Sequence, residues 1–169
     1  QGQREGSWPQ RQAAAERFRQ LAAEHADAPR AASAASNAVA IYESRLTALQ
    51  QGDAAVPADL RRSFIRCLDV LLDGWGETAR ARGYRFVLAR QHEALGQVDQ
   101  AIQGYARVPA ESPDFILARD RILSLRESRL EQLPESEQPA VAERLVEDLR
   151  VFVRRAKQVV SSTDNPGLR

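Results

Sequence analysis

The fold of this chain is decided by the stretch Leu88–Pro113, LARQHEALGQVDQAIQGYARVPAESP, which encodes two helices joined by a tight turn. Its apolar residues recur at helical spacing on both sides of the turn: Leu88, Ala89, Leu95, Ala101, Ile102, Tyr105 and Val108. Gly96 is predicted to end the first helix, because glycine adopts the left-handed backbone conformation at little cost. Asp99 is predicted to begin the second helix, because its carboxylate can accept hydrogen bonds from the first free N–H groups.

This arrangement resembles the tetratricopeptide repeat, a pair of antiparallel helices that stacks on its neighbours. The family favours glycine in the turn, here Gly96, and alanine followed four residues later by an aromatic residue, here Ala101 and Tyr105. Its closing proline is present as well. The places of tryptophan and tyrosine in the first helix hold Arg85 and His92 instead, so the second helix carries most of the resemblance.

A weaker copy of the second helix and its proline is found near the N-terminus, where Ala14–Ala31 resembles Ala101–Ala118. The aligned large residues are Phe18 with Tyr105 and Leu21 with Val108. The match is short and rich in alanine, so it supports a helical array only in combination with the turn motif.

The same periodicity predicts seven helices in all, with glycine and proline confined to the breaks between them. Their predicted bounds are Pro9–His25, Ala31–Gln51, Pro57 or Ala58 to Gly74, Thr78–Leu95, Val98–Ala110, Ser112–Leu133 and Pro139–Val160. No segment alternates apolar and polar residues as a half-buried strand does, so no sheet is expected.

The resemblance implies an all-α fold in which antiparallel helix pairs stack as a right-handed superhelix, an α-solenoid. Residues 1–169 are expected to form one such domain, with flexible tails at 1–8 and 161–169. Because the first helix resembles the second half of a repeat and the chain has no methionine, a piece of a longer array is expected.

Composition argues against several partner classes. The net charge is +1, so the chain has no overall attraction to nucleic acid. No apolar run approaches the length of a membrane span, so no direct membrane insertion is expected. Only Lys157 among the 24 basic residues is lysine, which suggests a GC-rich, bacterial coding sequence. Cytoplasm, periplasm and cell envelope all stay open as compartments.

No catalytic or metal-binding constellation is found in the sequence. Cys67 is the only cysteine and falls among apolar residues of the third helix, where a small buried hydrophobe is expected. The two histidines, His25 and His92, lack further ligands at metal-binding spacing. We therefore expect no enzyme activity, no metal and no cofactor, although an enzyme on a helical scaffold was the weaker alternative.

The expected function is a protein–protein interaction scaffold that binds a protein or peptide. In the tetratricopeptide family the first helix of each pair usually lines the concave surface. Carried onto this chain, the resemblance implies a binding surface of Phe86, Arg90, Glu93, Asp120, Ser124 and Glu127. Ordinary solvation of these positions is the equally weighted alternative.

A second expected function is a structural or oligomerisation module of an envelope or secretion apparatus, with a second copy of the chain as a partner. The stretch Arg119–Leu133 carries a partial heptad that could pair with another chain. Fewer than three heptads are present, so packing within the array is favoured for this helix.

Overall fold

The structure, a computed structural model, describes residues 8–163, without the side chains of residues 144, 148, 155, 156 and 158–163. Within this range every regular element is a helix and no strand is present, which confirms the predicted all-α fold. The helices are α1 (Trp8–Glu24), α2 (Ala31–Gln51), α3 (Ala58–Trp75), α4 (Ala79–Arg82), α5 (Tyr84–Ala94), α6 (Val98–Ala106), α7 (Phe115–Glu131) and α8 (Gln138–Thr163). They pack against one another in neighbouring pairs.

Of the predicted helix bounds, those of α2 are confirmed, whereas α6 ends at Ala106 rather than Ala110 and α7 spans Phe115–Glu131 rather than Ser112–Leu133. The predicted fourth helix is interrupted at Gly83, so that a single turn, α4, precedes α5. Thr78 caps that turn by accepting a hydrogen bond of 3.3 Å from the backbone N–H of Ala81. Trp8 belongs to α1 rather than to the predicted tail, and α8 extends to Thr163; the rest of the predicted tails, 1–7 and 164–169, lies outside the described residues.

The first three helices surround one hydrophobic core. Tyr42, Phe64 and Leu68 are fully buried in it, and the rings of Trp8 and Tyr42 form a T-shaped pair with centroids 5.8 Å apart. Fully buried alanines, among them Ala15 on α1, let the helix backbones approach closely. The apolar residues that recur with a period of 3.6 on α1, α2 and α3 therefore face one common core.

A second core lies where α5, α6 and α7 meet. Its buried members are Phe86, Ala89, Ala101, Tyr105, Val108, Ala118 and Ile122. The closest approach is between α5 and α6, where a Cβ added to Gly104 would lie only 2.9 Å from the Cβ of Ala89. Small residues at this crossing allow the two helices of the deciding stretch to pack tightly.

The turn between α5 and α6 has the predicted glycine geometry. Gly96 has a φ of +70°, and the N–H of Gln97 donates to the carbonyl of His92 at 3.0 Å while that of Gly96 donates to Glu93 at 2.9 Å. These two bonds satisfy free carbonyls at the end of α5 in a Schellman motif. The helix begins at Val98 as predicted, but the capping role of Asp99 is wrong: Gln97 is the N-cap, no side chain caps the helix, and the Asp99 carboxylate forms an ion pair with Arg129 of α7.

The N-terminal sequence copy does not share the environment of the deciding stretch. Leu21 is 46% exposed on α1, whereas its aligned residue Val108 is 2% exposed. Phe18 is only partly buried, whereas Tyr105 is fully buried. The two segments therefore do not pack equivalently at their large residues, although the aligned Ala31 and Ala118 are both buried.

The last helix, α8, packs against α7 along one side only. Val141, Leu145 and Phe152 are half-buried on that side. Val146, Leu149 and Val153 point away from it and are 46%, 37% and 45% exposed. The apolar residues of α8 therefore form two seams, a covered one against α7 and an uncovered one.

Candidate interaction surfaces

Phe86, the one apolar residue of the predicted binding surface, is part of the core instead. Its side chain is 7% exposed, and its ring centroid lies 5.3 Å from that of Tyr105 on α6. Tilted aromatic pairs at this distance add to the stability that burial already provides. Phe86 is therefore not exposed to a partner, because α5 uses this position to pack against α6.

Glu93 is also engaged within the fold. Its carboxylate accepts a hydrogen bond of 2.5 Å from the hydroxyl of Tyr105 and pairs with Arg121 of α7 at 2.9 Å. In the described part of the chain Glu93 makes no ion pair with Arg90 of the same helix. Glu93 therefore links three helices at a partly buried position.

The other four predicted surface residues are exposed. Asp120, Ser124 and Glu127 follow one face of α7, and within residues 8–163 none of the three makes a hydrogen bond or an ion pair. Arg90 on α5 lies near Arg61 of α3, and burial together with the charge of Arg90 lowers the pKa of the Arg61 guanidinium. In the described part of the chain Arg90 forms no hydrogen bond or ion pair with the three α7 residues.

A groove of about 460 Å³ runs between α6, α7 and α8. Apolar residues line its floor and walls: Ile102, Leu130, Leu133, Val141 and Leu145. The ion pair of Asp99 with Arg129 stands at its edge. The groove is open to solvent. It lies where α6 and α7 approach the covered seam of α8.

Most of the exposed large hydrophobic residues in the described range lie on α8. Four of the seven such residues belong to this helix, namely Val146, Leu149, Val151 and Val153, and Val151 lies beside residues of α7 rather than with the other three. Ala142, Val146, Leu149 and Val153 follow one face at spacings of four, three and four, and we call this set the α8 apolar face. Beside it, Arg150 and Arg154 each pair with Glu147 at 3.3 Å.

Sequence reasoning missed this surface although a signal was present. The apolar residues of α8 form two adjacent rows, one through Val141 and Leu145 and the other through Val146 and Leu149. One neighbouring helix covers about one such row, because a helix pair meets along a single seam. A stripe of double width therefore predicts either a second neighbour within the chain or an exposed apolar face.

The buried polar groups of the N-terminal core are structural. Burial raises the pKa of the Cys67 thiol to about 12, so the group is an uncharged hydrophobe rather than a nucleophile. Tyr42 donates a hydrogen bond of 2.9 Å to Glu16, whose carboxylate also pairs with Arg19 at 2.9 Å. This trio fixes α1 against α2.

Among the described side chains no three of histidine, cysteine, aspartate and glutamate are grouped as metal ligands. None of the helices in the described range has both the length and the apolar character that crossing a membrane requires. No protein-family model matches the chain, and no curated protein or solved structure matches it either. The proposed function therefore rests on the exposed surfaces of the chain.

Proposed function

We propose that the chain is a protein–protein interaction scaffold and that the α8 apolar face is its main docking surface. The observation that carries this proposal is the exposure of Val146, Leu149 and Val153 on one side of a long helix. Contiguous exposed apolar surface is costly in water and marks protein contact sites in folded domains. A partner that covers these side chains removes them from water.

The proposed scaffold is a tetratricopeptide-like stack of helix pairs with a right-handed superhelical course. The tight turn at Gly96, the full burial of Ala101 and Tyr105, and the close crossing at Gly104 support it. These are the features through which one helix of a repeat packs on the other. Such a scaffold is rigid enough to present an exposed helix face without rearrangement on binding.

A secondary contact area is proposed on the polar face of α7. Asp120, Ser124 and Glu127 are exposed and have no partner within residues 8–163, so an extended peptide could receive hydrogen bonds from or donate them to this face. The apolar anchor that this surface was expected to contain is absent, because Phe86 is buried. Polar contacts alone add specificity more than affinity, which makes the α8 apolar face the stronger candidate.

A photo-reactive amino acid placed at position 149 of the full chain tests the proposal directly. The matched control carries the same group at position 21, because Leu21 is exposed to a similar degree on α1. Cross-links to a protein at position 149 and not at position 21 are expected in cells or lysate of the source organism. The proposed surface would be contradicted if position 149 gave no cross-links, or if positions 149 and 21 gave the same products.

A structural or oligomerisation module, the second candidate function, is favoured by one specific observation. The α8 apolar face is exposed, and over fewer than two heptads its spacing of four, three and four matches the seam that pairs helices of separate chains in coiled coils. That such a module belongs to an envelope or secretion apparatus stays a prediction.

A further inference from the structure

We infer that the α8 apolar face binds the same face of a second copy of the chain, with the two α8 helices antiparallel about a twofold axis. This inference rests on the proposed function and names the partner of that surface. It is carried by two independent features of α8, the order of its apolar side chains and the order of the charges beside them.

The apolar side chains fit a heptad seam. Val146 and Val153 occupy positions a of the heptad, and Ala142 and Leu149 occupy positions d. In an antiparallel pair each position a faces a position d of the other helix. One register places Val146 against Leu149 of the partner subunit and Ala142 against Val153 of the partner subunit, and the twofold axis repeats both contacts.

In that register all four residues of the α8 apolar face are covered and none is left over. The seam then has four layers, with the large side chains in the two central layers and alanine opposite valine in the two outer ones. A face that is complementary to itself in this way meets the requirement for a closed, isologous dimer.

The charges beside the seam select the antiparallel orientation. Glu143 and Arg150 both lie at position e, on the flank of the seam that faces away from the half-buried row. In the register given above, Glu143 approaches Arg150 of the partner subunit, and the twofold axis forms the same pair again. Both positions are exposed in the single chain, so these pairs require little additional desolvation.

A parallel pair would gain no such contact. In parallel coiled coils position e faces position g, and the g positions of α8 are Leu145 and Phe152. These side chains are half-buried toward α7 and carry no charge. The intrachain partner of Arg150 is Glu147 at 3.3 Å, an exposed pair that leaves the guanidinium able to reach a second carboxylate.

The size of the seam sets the strength of the dimer. From residue 142 to 153 a helix rises by roughly 17 Å, so the contact is shorter than the standard protein–protein interface. We expect reversible dimerisation with a dissociation constant on the order of 10–100 μM. Such a dimer is populated where copies of the chain are concentrated locally.

Sedimentation equilibrium of the purified full chain, over roughly 5 to 500 μM to bracket that constant, measures self-association. Wild type is expected to pass from monomer to dimer over this range, and Leu149→Glu is expected to remain monomeric. Leu21→Glu is the matched control, because it adds the same charge at a similarly exposed leucine outside the face. It is expected to dimerise as wild type does.

Charge reversal tests the orientation. Glu143→Arg and Arg150→Glu each turn two attractive pairs into two repulsive ones, so each variant alone is expected to dimerise roughly tenfold more weakly. A one-to-one mixture of the two variants restores both pairs across the interface and is expected to form heterodimers near wild-type strength. Circular dichroism of each variant shows whether the helices remain folded.

Each result bears on the inference in one direction. A wild-type chain that is monomeric throughout the range, or one whose dimer is unaffected by Leu149→Glu, would overturn it. A mixture that associates no better than the single variants would overturn the antiparallel register. If the purified chain is monomeric while position 149 still cross-links to a different protein, the proposed function stands and this inference alone fails.

Discussion

Gly104 of α6 lies so close to Ala89 of α5 that a Cβ on the glycine would sit 2.9 Å from the alanine Cβ and 3.2 Å from its Cα. Neither contact can be relieved by a rotation of a side chain, because alanine has none to rotate. We therefore expect Gly104→Ala to lower the free energy of unfolding by about 1–3 kcal/mol through overpacking, despite the better helix propensity of alanine.

Gly74 provides the matched control for that substitution. It lies near the end of α3, and no atom is within 4 Å of the position that a Cβ would take. Gly74→Ala is expected to leave the free energy of unfolding unchanged or to raise it by up to about 1 kcal/mol. Urea denaturation of both variants checks the pair, and equal effects would show that the α5–α6 crossing is looser than described.

Phe86 and Arg90 separate a core role from a surface role on the same helix. Because Phe86 is buried against Tyr105, Phe86→Ala is expected to cost about 3–5 kcal/mol of stability. Arg90 is exposed, so Arg90→Ala is expected to change stability by no more than about 0.5 kcal/mol. Thermal or urea denaturation measures both, and a stable Phe86→Ala variant would return this residue to the binding surface.

The Tyr42–Glu16 hydrogen bond makes stability depend on alkaline pH. Burial first, and then the bond to Glu16, raises the pKa of Tyr42 from 10.0 to about 12 in the folded chain. Because the pKa of Tyr42 is higher in the folded chain than in the unfolded one, the neutral tyrosine stabilises the fold at pH values below 10. That stabilisation is lost as the pH rises from 10 through about 12. Tyr42→Phe is therefore expected to show a smaller loss of stability over this interval than wild type.

The same variant has a predicted cost near neutral pH. Removing one neutral-to-charged hydrogen bond is expected to lower the free energy of unfolding by about 1–2 kcal/mol, since Glu16 keeps Arg19 as a partner. Urea denaturation near neutral pH and at two alkaline values measures both effects. An unchanged alkaline slope in Tyr42→Phe would contradict the assigned role of this tyrosine.

Acid should also weaken the Tyr42–Glu16 contact, because it protonates the Glu16 carboxylate. Burial alone would raise the pKa of Glu16, but hydrogen bonds from Arg19 and Tyr42 outweigh it and lower the pKa below 4.5. A lowered carboxylate pKa stabilises the fold above the unfolded value, and this stabilisation is lost as the pH falls through the folded one. Glu16→Gln is accordingly expected to be less stable than wild type near neutral pH and to approach it in acid.

The sequence was sufficient for those features that local signals determine. Helix bounds and the turn at Gly96 follow from apolar periodicity, glycine and proline, all of which act within a few residues. The burial of Ala101 and Tyr105 was likewise readable from their spacing in the deciding stretch.

What the sequence could not supply is which neighbour covers each helix face. The role of Phe86 depends on α6 lying across it, and the free row of α8 depends on α7 covering the adjacent row. Aspartate is a residue type that often caps helices, but the Asp99 carboxylate instead binds Arg129, which is on α7 and far away in the sequence. These outcomes are decided by contacts between residues far apart in the chain, which periodicity does not encode.

The most direct test of the proposed docking surface is the affinity of wild type, Leu149→Glu and Leu21→Glu for the protein that cross-links at position 149. If the α8 apolar face binds that partner, Leu149→Glu should weaken binding by roughly thirtyfold or more, which corresponds to an anchor worth about 2 kcal/mol. Leu21→Glu should bind as wild type does, and all three should unfold at similar temperatures. Equal affinity of the two variants would contradict the proposed surface.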